Sequence, residues 1–281
     1  MLDQRTAALW MAAILPTLGF ADTYNPTNAP FDELLFHLQR YGNTPARLER
    51  KEASRQEFLR REASSLQYLM NQIHIDNFWI RIMVHQVTKS AEDHQAADVL
   101  VEFLESDHEE TRKHAAYYLG FTMAPDFADR VLPLLQDEAA AGAAMRTLGK
   151  WRIEGATTEI IPFLGHDEER KRVLAANALR DIGDPRAVPD LITSLGDPMF
   201  TVRNTSARAL SSLGKVAEKS ILKELKTGDH EIVVKRQMIR ILGEMKSRRA
   251  KTTLKRLGRD EDPGVRFDAR EALDRIASAT R

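Results

Sequence analysis

From Asp76 onward, apolar residues come in short runs spaced three and four apart, separated by turns rich in Asp, Gly and Pro. That spacing predicts amphipathic α-helices, because residues three and four apart share one helix face. Val202, Ser206, Ala209, Leu210 and Leu213 fall on such a face and are expected to be buried, and the small residues among them let neighbouring helices approach closely. The runs alternate between inner helices opening near Ile80, Thr111, Ala140, Lys171, Val202, Val234 and Val265 and outer helices over 99–104, 127–135, 158–164, 187–195, 217–225 and 250–257. Ahead of them, 23–30 reads as a loop by its Pro and Asn density. Phe31, Leu34, Leu35 and Leu38 predict a helix closed by Gly42-Asn43, and Pro45 opens one long helix reaching about Ile73. Its apolar positions, Leu48, Phe58, Leu59, Leu66, Leu69, Met70 and Ile73, hold no heptad, so a cap over the first repeat is expected rather than half of a coiled coil.

The inner helices share a register. Residues 81, 112, 141, 172, 203, 235 and 266 recur with a period of roughly 31, within the range of repeat arrays. Arg81, Arg112, Arg172, Arg203 and Arg266 occupy five of these positions and Lys235 a sixth. One copy reads Asp197-Pro-Met-Phe-Thr-Val-Arg203 with Ala209-Leu210 behind it, and the copy before it ends Ile182-Gly-Asp-Pro-Arg-Ala-Val-Pro189. These elements resemble HEAT repeats of the short kind named after phycobiliprotein lyases, over roughly residues 76–281. The resemblance implies an all-α fold, a right-handed α-solenoid of about seven HEAT-like helical hairpins, with residues 22–75 as an N-terminal helical cap. Each hairpin is too small to bury its apolar face alone and buries it against its neighbours.

Composition adds three points. A hydrophobic content of 43% supplies enough core for such a stack. The absence of cysteine excludes disulfides, cysteine-bound zinc and a cysteine nucleophile. The formal net charge of zero hides two poles: from Thr201 onward there are 20 Lys and Arg against 11 Asp and Glu, and before it 21 against 30. The acidic excess lies between Asp76 and Met199. At the start, the apolar stretch Thr6 to Phe20 follows Arg5, and Gly19 and Ala21 are the small residues a signal peptidase requires. It reads as a signal peptide over 1–21 and a periplasmic or secreted mature chain; the alternative is a buried first helix in a cytoplasmic protein. No other run approaches the apolar length of a membrane span, so no transmembrane span is expected in the mature chain.

The register residues are expected to be architecture: Asp107, Asp167, Asp197, Asp229 and Asp262 precede inner helices, where a carboxylate caps free amides, and the ladder cations lie within reach of such an aspartate on the next repeat. In the HEAT family this Asp/Arg pattern is structural. One, five and eight residues past each ladder position lies the face opposite the core, the concave groove in HEAT proteins. It carries Lys113, Tyr117, Arg146, Asn177, Asn204, Arg208, Arg236 and Arg240, types suited to binding a partner, with Gln86 and Glu271 at its ends. A second, denser patch comprises Lys246, Arg248, Arg249, Lys251, Lys255, Arg256 and Arg259, with Arg266 and Arg270 adjoining.

Enzyme chemistry finds little support. In the HEAT-like diiron deoxyhypusine hydroxylases, His-Glu dipeptides on inner helices converge on a metal pair; here His108-Glu109 and His230-Glu231 lie in turns, four repeats apart, and the inner helices offer His114 followed by Ala115. Bilin lyases match in architecture without a matching chemistry-bearing residue. HEAT-like DNA glycosylases place tryptophans on a basic concave face, whereas Trp10, Trp79 and Trp151 form no cluster in this register. The sequence therefore predicts a non-catalytic protein-interaction scaffold, with no metal or cofactor, binding a protein partner with an acidic surface; self-association through the acidic middle of a second copy is possible. A bilin-lyase-like enzyme or subunit, or a binder of an anionic polymer such as nucleic acid, is the alternative, and no nucleic acid is expected because no recognition motif or interleaved aromatics accompany the basic patch.

Overall fold

The computed structural model describes residues 24–40, 44–227 and 229–278, which form sixteen α-helices, short 3₁₀ turns and no strand. The expected signal segment, 1–21, lies outside the described residues. None of the described helices is long and apolar enough to cross a membrane. The chain divides into two compact units, Met1–Glu92 and Asp93–Arg281.

The first unit contains α1 (Phe31–Gln39), α2 (Pro45–Arg60), α3 (Glu62–Met70) and α4 (Phe78–Ser90). Its core is built from Leu34, Leu38, Phe58, Leu66, Leu69, Met70, Ile80 and Val84, all at most 1% exposed. The ring of Phe31 stacks on Phe58 and Tyr68 with centroids 5.5 and 4.8 Å away. The single long helix expected over Pro45 to Ile73 is in fact two: it stops at Arg60, and Glu62, the first residue of α3, takes φ 35°. The buried carboxylate of Glu57 accounts for the break. Arg60 and Arg61 both grip it at 2.6 Å, and Arg61 also donates to the carbonyls of Pro26 and Thr27 in the preceding loop, at 3.1 Å each. These bonds hold the chain in place at Arg61 while Phe58 and Leu66 both turn into the core. Leu48, expected on the apolar face, is 49% exposed near the start of α2. In α4, Asn77 caps the helix by accepting the amides of Trp79 and Ile80, and Arg81 pairs with Asp76 at 2.6 Å.

The second unit stacks inner helices α6 (Glu109–Leu119), α8 (Ala141–Lys150), α10 (Glu169–Ile182), α12 (Phe200–Ser212), α14 (Ile232–Glu244) and α16 (Pro263–Ser278). The outer helices are α5 (Asp93–Glu102), α7 (Ala128–Val131), α9 (Thr157–Ile160), α11 (Val188–Thr193), α13 (Lys215–Thr227) and α15 (Lys251–Leu257). α7 and α9 are single turns that pass into 3₁₀ at Leu132–Gln136 and Ile161–Gly165, where Pro133 and Pro162 remove the amide an α-turn would need. α13 has no proline and runs 13 residues.

Val202, Ser206, Ala209 and Leu210 are fully buried, and Leu213, at the end of α12, is half-buried. Inner helices cross closely where a glycine faces an alanine: a Cβ on Gly149 would stand 2.9 Å from Ala178 Cα, and one on Gly243 would stand 2.9 Å from Ala272 Cα. No side chain fits at either crossing without pushing the helices apart.

Candidate protein-binding face

Four ladder arginines of the second unit perform the same local task. Nη1 of Arg112 donates to the carbonyls of Ser106 and Asp107 at 2.8 and 3.3 Å, that of Arg172 to His166 and Asp167 at 2.9 Å each, that of Arg203 to Asp197 and Pro198 at 2.7 and 2.8 Å, and that of Arg266 to Asp260 and Glu261 at 2.8 Å each. These carbonyls belong to the turn before each helix, so the guanidinium fastens a turn to its own helix and satisfies acceptors that no helical amide reaches.

The opposite edge of the cation reaches forward to the next repeat. Arg112 Nε meets Asp137 at 2.6 Å, Arg172 Nε meets Asp197 at 2.7 Å, and Lys235 Nζ lies 3.7 Å from Asp260. The partners are therefore Asp137, Asp197 and Asp260; of the carboxylates expected in this role, Asp197 alone fills it, and Asp107, Asp167 and Asp229 do not. The reason is position within the turn. Asp137 stands early enough to accept the free amides of Ala139 and Ala140 with one oxygen and Arg112 with the other. Burial opposes ionisation of Asp137, but the bonds from Arg112 and the two amides outweigh it and hold its carboxyl below the ordinary value. Asp262 caps α16 by accepting the amide of Val265 at 2.8 Å.

The groove residues differ in how free they are. Asn204 and Arg208 are exposed, as is Arg146, whose guanidinium carbon lies 5.0 Å from the centre of the Tyr117 ring. Lys113 is drawn back onto Glu110 at 2.8 Å, and Asn177 donates to the Val173 carbonyl of its own helix. Arg236 and Arg240, expected as free cations, converge instead on Asp268, 1% exposed, with Nε–carboxylate distances of 2.6 and 3.0 Å. The bond that Arg236 donates to Asp268 raises the pKa of Arg236. Gly264 makes room for this cluster, since a Cβ there would lie 2.9 Å from Arg236 Cζ. Sequence spacing places the arginines on a face; the carboxylate that claims them arrives from the next helix.

The basic patch is exposed throughout, at Lys246, Arg248, Arg249, Lys251, Lys255, Arg256 and Arg259. Arg256 spends part of its guanidinium on the Leu225 carbonyl at 2.8 Å. The fold widens the patch with Lys215, Lys219, Lys223 and Lys226 of α13, a set the sequence reading left out although the fourfold spacing of the first three marks one helix face. A hollow of about 460 Å³ between α13 and the turn before α15 is lined by Lys215, Glu218, Lys246, Ser247, Arg248 and Arg249. Glu218 is buried beneath it and bonded to Ser247.

The histidines and tryptophans are placed as follows. Glu138, His166 and Glu168, on two successive repeats, bring ligand-type atoms within 4.8 Å of one another, a grouping unseen in the His-Glu dipeptides. The buried ammonium of Lys171 already pairs with both carboxylates, and His166 Nδ1 accepts the Glu168 amide at 3.0 Å. His230 pairs with Glu224 at 3.0 Å, and His114 lies 3.6 Å from Glu110. Trp151 is buried, donating to the Thr122 carbonyl at 2.7 Å, and Trp79 lies under Lys51, 3.8 Å from its ring centre.

A family model described as HEAT repeats matches residues 134–211, 157–234 and 221–281. Against curated protein sequences the chain finds no match. Among solved structures, YibA of Escherichia coli has a TM-score of 0.51 at 15% identity, with 90% of this chain and 94% of that one covered. A chain of the Kap95:Nup1 complex scores 0.56 at 12% identity, with 89% and 38% covered. Human deoxyhypusine hydroxylase scores 0.36 at 16% identity, with 88% and 96% covered, too distant a likeness to carry an argument. At these identities the neighbours speak for the α-solenoid fold alone.

Proposed function

The chain belongs to the HEAT-repeat family, and from that premise we propose that it is a non-catalytic scaffold that binds a protein with an acidic surface. The supporting observation is a division of labour among its cations. Arg112, Arg172, Arg236 and Arg240 are tied to carboxylates of the next repeat, whereas Arg208 and the cations of α13, α15 and their flanking turns stand exposed. A field of like charge held on rigid helices attracts and orients an anionic partner. The acidic repeats before Met199 make a second copy of the chain a candidate for that partner.

The test is quantitative crosslinking of the full chain to its partners at rising salt, for wild type, Arg208→Glu and the combined Lys251→Glu, Lys255→Glu and Arg259→Glu variant. Arg240 is unsuitable for reversal because a carboxylate there would face the buried Asp268. The expected result is retention that falls with salt and drops about tenfold on charge reversal; retention indifferent to both sinks the reading. Export of the mature chain rests on the sequence of Thr6 to Ala21, and mass spectrometry of the mature N-terminus tests it by asking whether it begins at Asp22.

A further inference from the structure

One link between inner and outer helix is shorter than the others. At Pro125–Phe127, Glu154–Ala156, Pro185–Ala187 and Arg248–Ala250 the chain makes a 3₁₀ turn between the two. The link from α12 to α13 has none: α12 ends at Ser212, α13 starts at Lys215, and Gly214 turns the corner at φ 61°. Earlier links are stitched to one another, Trp151 donating to the Thr122 carbonyl at 2.7 Å and Arg186 to that of Glu154 at 2.9 Å. Where the turn is missing, the hollow of about 460 Å³ opens between this link and the next.

The charge of the links changes at the same place. Asp126, Glu154 and Asp184 stand in the earlier links, whereas 213–214 and 245–250 contain no carboxylate. Lys215, Lys246, Arg248 and Arg249 therefore line the hollow against one acid, Glu218, which is bonded to Ser247 and lies 4.0 Å from Arg249. A second hollow of about 320 Å³, lined by Lys219, Lys223 and Lys226, shares Glu218 and Arg249 with the first, so the two form one cleft along α13. All seven of these cations are exposed. From Lys215 to Lys226 the cleft runs about 16 Å, at 1.5 Å per helical residue.

We infer that this cleft seats an extended acidic segment of a partner protein, about five residues long at roughly 3.3 Å per residue, with carboxylates at alternate positions. The inference rests on the acidic-partner reading above and places that partner on α13 and the turn before α15 rather than in the groove. The spacing is geometric: Lys215, Lys219 and Lys223 recur about 6 Å apart, and alternate side chains of an extended chain point the same way about 6.6 Å apart. Acids in consecutive positions send every second one away from the lysines. Leu222 and Met245, half-buried in the lining, add apolar wall that the methylene groups of Glu side chains cover and a phosphate backbone leaves bare. Cations held on rigid helices orient such a segment as well as attract it.

The test is fluorescence anisotropy on the full chain at low salt, with two fluorescein-labelled heptapeptides of equal composition and charge. One carries three Glu at alternate positions among Ala, the other the same three in a block. The alternating peptide is expected to bind about fivefold more tightly than the block, and the Lys219→Glu, Lys223→Glu double variant to weaken it about tenfold or more. Both lysines are exposed, so their reversal leaves the fold in place. Arg146→Glu with Arg208→Glu, an equal charge change on the inner helices, is expected to leave the affinity within about twofold. The inference is overturned if neither peptide binds, if the two bind alike, or if the inner-helix variant weakens binding as much as the cleft variant. Tighter binding of a thymidine oligonucleotide of equal charge assigns the cleft to a phosphate backbone, and dispersal of a self-associated form by the cleft variant assigns it to a second copy; either result overturns it too. Crosslinking to whole partners that still falls with salt and charge reversal keeps the scaffold reading when the peptides fail, so the two failures are told apart.

Discussion

Arg172 and Arg203 occupy equivalent places one repeat apart and clasp the carbonyls of their own turns in the same way. They differ in what faces them. Arg172 meets Asp197, and both side chains are nearly buried, at 11% and 7% exposure. Arg203 meets no carboxylate, and its Nε is orphaned. The comparison teaches that a ladder cation has two separable roles, one within its repeat and one across the joint. The second depends on a residue about 25 positions away, so a stack of near-identical units can be strong at one joint and open at the next.

The largest expected effect breaks the stronger rung. Arg172→Met strands the buried Asp197 carboxylate and is expected to lower unfolding stability by about 3 kcal/mol, measured by urea titration. The same change at Arg203 removes only the turn clasp, together with a donor that was unpaired to begin with, and is expected to cost about 1 kcal/mol. Equal losses at the two positions would dissolve the contrast.

The smallest effect is in pH. Asp137 titrates below its ordinary 3.8 in the folded chain, so its contribution is complete above the unfolded value and fades as pH falls through the folded one. Acid titrations followed by circular dichroism should therefore show D137N losing part of the acid-induced drop in stability below about pH 4, while R203M keeps it.

Much of the architecture was legible in the one-dimensional pattern. The helical spacing, the turns and the recurring cation are local properties, and buried positions such as Val202, Ala209 and Leu210 follow from them. The break between α2 and α3 was not legible, because it depends on Glu57, Arg60 and Arg61 meeting a loop more than 30 residues earlier. The groove cations were placed on the right helices, but nothing near Arg236 and Arg240 announces Asp268, which comes from the next inner helix. The lysines of α13 could have been found by their spacing, since Lys215, Lys219 and Lys223 repeat at four.

Sequence alone determined that this chain folds as stacked helical hairpins, because each hairpin exposes an apolar stripe that only another hairpin can cover. It also determined which residue types stand at each register position. Tertiary structure decided which charges are spent and which remain available, since pairing depends on the few ångströms between helices that are distant along the chain. Arg172 and Arg203 are alike in local sequence role, and only the neighbouring repeat separates a cation paired with a carboxylate from one whose Nε has no acceptor.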